Sequence, residues 1–248
     1  MDTEVYLRMA MLEEKHWWFE GRRIIIETLL KHLDFPANGK ILEVGSGTGG
    51  NFLMLSKFGK VDAIEPDASA RALVSNRCGV ELTEGSLPDQ IPFPPHSFDL
   101  IVALDVLEHI KDDQESLVSI KRFLKPDGHL LLTVPAYQFL WSEHDEQHHH
   151  ERRYCLAELT GLLEKVGYTI HRKSYFNTLL LPLILLMRFT KRLLNRKTPD
   201  DKMPAGPINK LLLGVLKLEN YLLRKGIYFP VGVSILVLAQ NSGLESSE

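Results

Sequence analysis

Short apolar runs alternate with helix-length stretches along most of this chain, and that alternation limits the fold more than any other feature. Lys40-Ile41-Leu42-Glu43-Val44 is one such run, Val61-Asp62-Ala63-Ile64 a second, Phe98 to Leu104 a third and His129 to Val134 a fourth. Asn51 to Phe58, Ser69 to Arg77 and Asp113 to Leu124 lie between them and read as helices. Short buried strands joined through helices form parallel sheets, because a parallel pair needs a crossover long enough to return the chain to the same edge. Val80 to Leu82 reads as a further short strand, and Lys125-Pro126-Asp127-Gly128 as the turn that stops a helix. Leu156 to Val166 then reads as a helix ended by Gly167, Tyr168 to Tyr175 as a strand and Gly232 to Leu238 as the closing strand.

The chain has 248 residues, 44% of them hydrophobic, enough to bury one substantial core. A single domain is expected over 1–248, with residues 1–34 as an N-terminal helical lid, 35–176 and 227–241 as the core and 177–226 as an apolar and basic helical insertion. A net charge of -3 gives no reason to expect nucleic acid as a partner. Residues 188–225, however, hold ten Lys/Arg against three Asp/Glu, so positive charge is concentrated there. The two cysteines, Cys78 and Cys155, have no paired spacing, and Met1 to Arg8 lacks the layout of a signal peptide, which together fit a cytoplasmic location. The longest apolar run, Leu179 to Met187, has nine residues and contains Pro182. A membrane-spanning helix needs about 20, so none is expected.

The turn after the first strand reads Glu43-Val44-Gly45-Ser46-Gly47-Thr48-Gly49-Gly50. Glycines there let the backbone turn tightly and approach a ligand at a helix N-terminus. Gly45, Gly47 and Gly50 also satisfy the dinucleotide pattern G-x-G-x-x-G, so the turn alone admits a nicotinamide-binding reading. Three further features separate the two: Glu43 lies two residues before Gly45, the second strand ends in Glu65-Pro66-Asp67, and the fourth strand in order along the chain ends in Leu104-Asp105-Val106-Leu107-Glu108-His109.

With these motifs the chain resembles the class I S-adenosylmethionine-dependent methyltransferases, specifically the bacterial type 11-like group. The resemblance implies an α/β fold with a Rossmann-like, seven-stranded, mostly parallel sheet, helices on both faces, an N-terminal helical lid and a helical insertion before the last strand. It implies S-adenosyl-L-methionine as cofactor, held on Glu43, Gly45, Ser46, Gly47 and Gly49, with Glu65 and Pro66 at the ribose hydroxyls. Leu104 and Asp105 follow at the end of their strand. Ser86 and Leu87 stand where the family pinches the adenine between an acid and an apolar residue, serine being a departure from the usual acid. A strand-end carboxylate that accepts two charge-assisted hydrogen bonds suits the hydroxyls of a ribose diol.

His16-Trp17-Trp18-Phe19, followed by Arg22 and Arg23, looks like the lid that precedes the sheet in many of these enzymes. Aromatic faces, that of Trp18 among them, would then lie near the cofactor sulfonium, and Arg22 or Arg23 would pair with its carboxylate. Packing of the tryptophans on the sheet, with solvated arginines, is the alternative.

The loop after the fifth strand, with Trp141, His144, Asp145, His150, Arg152, Arg153 and Tyr154, resembles the W-x-x-H-D…H-x-R-R-Y segment of bacterial methyltransferases tied to cell-envelope glycans and lipids. His150 is read as the catalytic base, with His144 and Asp145 positioning it; a solvated loop anchored by Arg152, Arg153 and Tyr154 is the alternative. Asp105, Glu108 and His109 have a spacing some magnesium-dependent relatives use, with a later histidine completing the shell, yet no metal is assigned.

Methyl transfer to an oxygen or nitrogen nucleophile of a small, amphiphilic, glycan- or lipid-linked acceptor is the resulting expectation. A non-catalytic cofactor-binding or interaction module is the alternative. The stretches Asn177 to Leu194 and Ile208 to Arg224 are more apolar than a connection requires and are flanked by lysines and arginines. They are read as a peripheral contact with the inner face of the membrane, or as helices that pair with each other or form a homodimer.

Overall fold

The computed structural model describes residues 3–36, 38–194 and 203–243. Two helices lead in, α1 (Thr3–Leu12) and α2 (Trp17–Leu30), separated at His16, whose ring caps α2 by accepting from Trp18 N. There follow β1 (Lys40–Val44), α3 (Phe52–Leu55), β2 (Lys60–Ile64), α4 (Ala68–Cys78), β3 (Phe98–Leu104) and α5 (Asp113–Phe123). The second half comprises β4 (Leu124–Pro135), α6 (Glu143–Gln147), α7 (Leu156–Val166), β5 (Tyr168–Phe176), α8 (Leu181–Leu193), α9 (Gly206–Arg224) and β6 (Ser234–Asn241).

The strands form one sheet in the order β2-β1-β3-β4-β6-β5. The first four are mutually parallel, and β6 runs antiparallel between β4 and β5. Successive residues of a strand face opposite ways, and the core divides accordingly. Leu42, Ile101, Ala103, Leu130, Leu132, Ile235 and Val237 pack on one face with Leu117 and Ile120 of α5 and Leu159 and Leu163 of α7. Ile41, Leu100, Val102, Leu131, Leu236 and Leu238 pack on the other, against Ile25, Ile26 and Leu30 of α2. From β1 the chain moves outward to β2 and then returns to place β3 on β1's other side. This reversal opens a crevice at the carboxyl ends of β1 and β3, where open α/β sheets bind ligands.

Among the described residues the sheet has six strands, not seven. The expected strand at Val80 to Leu82 is reduced to a single parallel bridge, Ile64 with Thr83, made by Thr83 N to Ala63 O and Glu65 N to Thr83 O. The chain there runs past an edge with charged Glu81 and Glu84 facing water, then turns inward at Gly85, so pairing ends after one step. The Lys125-Gly128 turn is present, but it bulges out of β4: Phe98 pairs with Leu124 and Leu100 with His129.

The insertion does not behave as one unit. Helix α9 packs along α2, with Leu213 and Leu216 buried, and Gly21 lies so close to Leu216 that a Cβ there would stand 2.3 Å from Leu216 Cδ1. Asn209 ties the two ends together, accepting from Trp17 N and donating to Lys15 O. Helix α8 keeps Leu183, Leu186, Met187 and Phe189 exposed and is joined to α9 through Glu219, a buried carboxylate that accepts from Leu179 N at 2.7 Å. Of the readings of the insertion, the alternative in which its two helices pair mainly with each other is not what is seen, since α9 packs along the lid helix. Among the described residues no helix is long and apolar enough to cross a membrane.

Candidate active site

The loop leaving β1 is a glycine cradle. Gly45, Gly47 and Gly49 all have left-handed backbone (φ +64, +53 and +80°), which favours glycine. A Cβ on Gly45 would lie 2.8 Å from Val106 Cγ2, and one on Gly49 would press Val74, whereas the space beside Gly47 is open. Gly45 N and Ser46 N donate to Ile64 O, which fixes the cradle against the end of β2. Gly50, the last glycine of the dinucleotide pattern, answers to the lid instead, since a Cβ there would meet Glu13 Oε2 at 2.4 Å.

Glu65 ends β2 beneath this loop, 3% exposed. Its Oε2 accepts from Gly47 N at 2.8 Å, and its Oε1 accepts from Asp67 N and from the Tyr6 hydroxyl of α1. Burial raises the Glu65 carboxyl above its ordinary pKa despite these donors. Glu43 is buried beside it, and Asn51 Nδ2 donates to its Oε1 at 2.9 Å while Oε2 has no hydrogen-bond partner. Desolvation pushes the Glu43 carboxyl up to about 7. Ser46 Oγ is likewise buried and unpartnered. Open space over Gly47 and these orphaned oxygens at the helix-facing end of β1 fit a polar ligand carrying hydroxyl and ammonium groups, and so fit S-adenosylmethionine.

The other residues of the expected cofactor set have partners within the protein. Arg22 forms an ion pair with Asp105, whose Oδ1 also accepts from Thr133 Oγ1. The two groups expected at the cofactor thus engage each other between α2 and the end of β3. Trp18 stacks face to face on Phe176 at 5.5 Å and packs with the α2 face of the core. Leu104 is buried, and Pro66 is exposed, its carbonyl accepting from Arg71. Ser86 closes a small hairpin by reciprocal main-chain bonds with Gln90, and Leu87 packs on the core.

Contacts of the lid with the cradle were not visible in the sequence. Glu13, buried at the end of α1, takes the Thr48 hydroxyl and Arg77 Nη1, and Arg23 donates to the Glu13 carbonyl. The Glu13-Glu14 pair carries no local signal that one of its members is buried.

On the other side of the crevice lies the β4–α7 connection. Asp145 is fully buried and closes a capping box on Ser142 at the start of α6. Arg153 holds it bidentately, Nε to Oδ1 at 2.7 Å and Nη2 to Oδ2 at 2.9 Å, and His150 Nδ1 lies 2.9 Å from Oδ1. Burial alone would raise this carboxyl, but the bonds from His150 and Arg153 outweigh it and hold it well below the usual carboxylate range. With Nδ1 engaged by a carboxylate, Nε2 is the imidazole nitrogen left to act as acceptor.

His144, expected to position His150 together with Asp145, lies at a tilt against His148 at 4.1 Å and edge-on to His150 at 6.0 Å. His109 stands edge-on to His150 at 4.6 Å, and burial, with His150 and His148 nearby, pushes its pKa down to about 3. Glu108 is fully buried, and neither carboxylate oxygen has a hydrogen-bond partner. Of the expected grouping, Glu108 and His109 meet a histidine of the later loop, His150, while Asp105 pairs with Arg22 instead. Arg152 and Tyr154 anchor the loop, both bonding to Asp113. Val106, which touches Gly45, links this cluster to the cradle.

A glycine cradle after β1, an acid ending β2 and an antiparallel β6 inserted beside β4 define the class I methyltransferase architecture. The model of a methyltransferase domain family matches residues 17–173, well over half the chain. The chain belongs to that family, among the S-adenosylmethionine-dependent methyltransferases. It is similar to a Mycolicibacterium smegmatis protein named as a probable S-adenosylmethionine-dependent methyltransferase, 29% identical over 64% of this chain and 62% of that one. It is also similar to the demethylmenaquinone methyltransferase of Tropheryma whipplei, 31% identical over 51% of each. The fold matches a chain from the complex of the Haloferax volcanii Trm112 methyltransferase activator with a methyltransferase, at TM-score 0.64, 15% identity and coverage of 98% and 97%. The chain spans only 51% to 62% of the length of the first curated relatives it matches.

Proposed function

We propose that the protein, acting as one domain, transfers a methyl group from S-adenosylmethionine to an oxygen or nitrogen nucleophile of a small amphiphilic acceptor, glycan- or lipid-linked. The carrying observation is the adjacency, through Val106 and Gly45, of a glycine cradle to a histidine-carboxylate cluster past the carboxyl ends of β1 and β3. Bound S-adenosylmethionine supplies a methyl group activated on a sulfonium. The residues of the chain bind, orient and manage one proton. Glu43, Gly45, Ser46, Gly47 and Gly49 would hold the amino-acid part, Glu65 and Pro66 the ribose, and Ser86, Leu87, Leu104 and Asp105 the adenine side. Trp18 and Arg22 would shape the lid wall. His150 Nε2, oriented through Asp145, is the site on which withdrawal of the nucleophile's proton depends, with His144 beside it.

Calorimetry should give micromolar binding of S-adenosylmethionine and far weaker binding of NAD. Glu65→Ala should weaken cofactor binding by about 1.5–3 kcal/mol, the scale of a charge-assisted hydrogen bond, with an unchanged circular dichroism spectrum. Tighter binding of NAD would overturn the cofactor assignment. Incubation with methyl-labelled cofactor and fractionated cell extract should then label an extractable amphiphile, and cofactor binding without label in any fraction would favour the non-catalytic module.

The acceptor class draws support from the surface. Fifteen of the twenty large apolar side chains exposed among the described residues lie between Leu179 and Val231, with Lys210, Lys217, Arg224 and Lys225 in the same segment. Such a face suits contact with an anionic lipid surface, where an amphiphilic acceptor would be met, and the quinone-directed name of the Tropheryma relative points the same way. The protein should co-sediment with anionic vesicles at low salt, and Leu186→Asp with Phe189→Asp should abolish this. Retention in the supernatant, or a homodimer in light scattering that the double variant dissolves, would assign the face to a protein interface.

A further inference from the structure

We infer that Glu108, His109 and His150 bind one divalent transition-metal ion of the zinc class. Each offers one ligand atom, and the three atoms lie within 4.8 Å of one another. Metal bonds of about 2.0–2.2 Å in a tetrahedral shell place ligand atoms roughly 3.5 Å apart, so small side-chain rotations close the set.

Three observations favour an ion over a merely packed cluster. Glu108 is completely buried, and both its oxygens lack a hydrogen-bond partner, a costly state that a cation at this position relieves. His150 is oriented by Asp145 through Nδ1, the carboxylate-histidine arrangement that fixes a metal-binding imidazole from behind. Asp145 is itself locked by Arg153, so His150 is pre-set and not recruited by the ion.

The donor set chooses the ion. Two imidazoles and one carboxylate suit Zn²⁺, Co²⁺ or Mn²⁺, whereas Mg²⁺ and Ca²⁺ prefer shells of oxygen. Three protein ligands leave a coordination position open, and an acceptor hydroxyl entering it would be acidified by the cation. This step deepens the proposed function and rests on it, because the withdrawal of the acceptor's proton would then run through a metal that His150 holds. Metal binding itself requires neither cofactor nor acceptor.

The test is therefore made on the full chain without either. After treatment with a chelator and its removal, titration with Zn²⁺ should show one equivalent bound with micromolar or tighter affinity, undisplaced by millimolar Mg²⁺. Co²⁺ should give the visible absorption of a four- or five-coordinate ion. Glu108→Gln, which keeps the shape of the buried side chain, and His150→Ala should each weaken binding at least 10-fold. His149→Ala, on the exposed part of the same loop, should leave it unchanged. Binding weaker than 1 mM, or binding that survives Glu108→Gln and falls with His149→Ala, would overturn the inference and reduce it to adventitious capture by loop histidines. Intact metal binding in a protein that transfers no methyl group would remove the proposed reaction and leave the site.

Discussion

Asp145→Ala should lower the stability of the folded protein by about 3–5 kcal/mol, the cost of leaving a buried charge without its partner. The Arg153 guanidinium is 3% exposed and spends two of its nitrogens on Asp145, so the alanine variant strands a cation in the interior. Its remaining bond, Nη1 to the Ala136 carbonyl at 3.2 Å, does not compensate for a lost carboxylate. In a chain of this size that loss lowers the melting temperature by roughly 6–20 °C. Arg152→Ala provides the contrast, since it breaks a pair with Asp113 that solvent partly screens and should cost under about 1 kcal/mol. Urea unfolding at neutral pH compares the two, and equal losses would show that Asp145 and Arg153 contribute no more than a surface pair.

Turnover should fall at least about 100-fold in His150→Ala, with S-adenosylmethionine affinity nearly unchanged, because the proposed function places the residue at the acceptor and not at the cofactor. The geometry on which this rests is the Asp145–His150 bond at 2.9 Å, which leaves Nε2 directed away from the carboxylate. Full activity in His150→Ala would transfer proton management to another group. A proportional loss of cofactor affinity would instead mark His150 as part of the cofactor wall.

Strands and cradle were legible because their signals are local. Apolar runs with helices between them, and glycines at fixed intervals after β1, depend on neighbours within a few residues, and so did the placement of Glu65 at a strand end. What could not be read depends on partners far apart in the chain. Tyr6 meets Glu65 across 59 residues, and Glu13 meets Arg77 across 64. Arg22 meets Asp105 across 83 residues, a pairing that the lid motif around Arg22 does not announce. The Val80–Leu82 run had strand-like composition, but only an adjoining edge decides whether such a run pairs for one step or several. The motif reading pairs Asp145 with His150, and the two are in contact, but it gives no sign that Arg153 locks Asp145 from the other side.

Adjacent residues of α2 face in different directions, Gly21 toward Leu216 of α9 and Arg22 toward Asp105 at the end of β3. With no side chain at Gly21 to cushion the contact, α9 rests directly on the backbone that carries Arg22. Close-packed interiors transmit small displacements rather than absorb them. A displacement of α9 toward the sheet is therefore opposed by main chain and not by a yielding side chain, one residue before the arginine that meets Asp105.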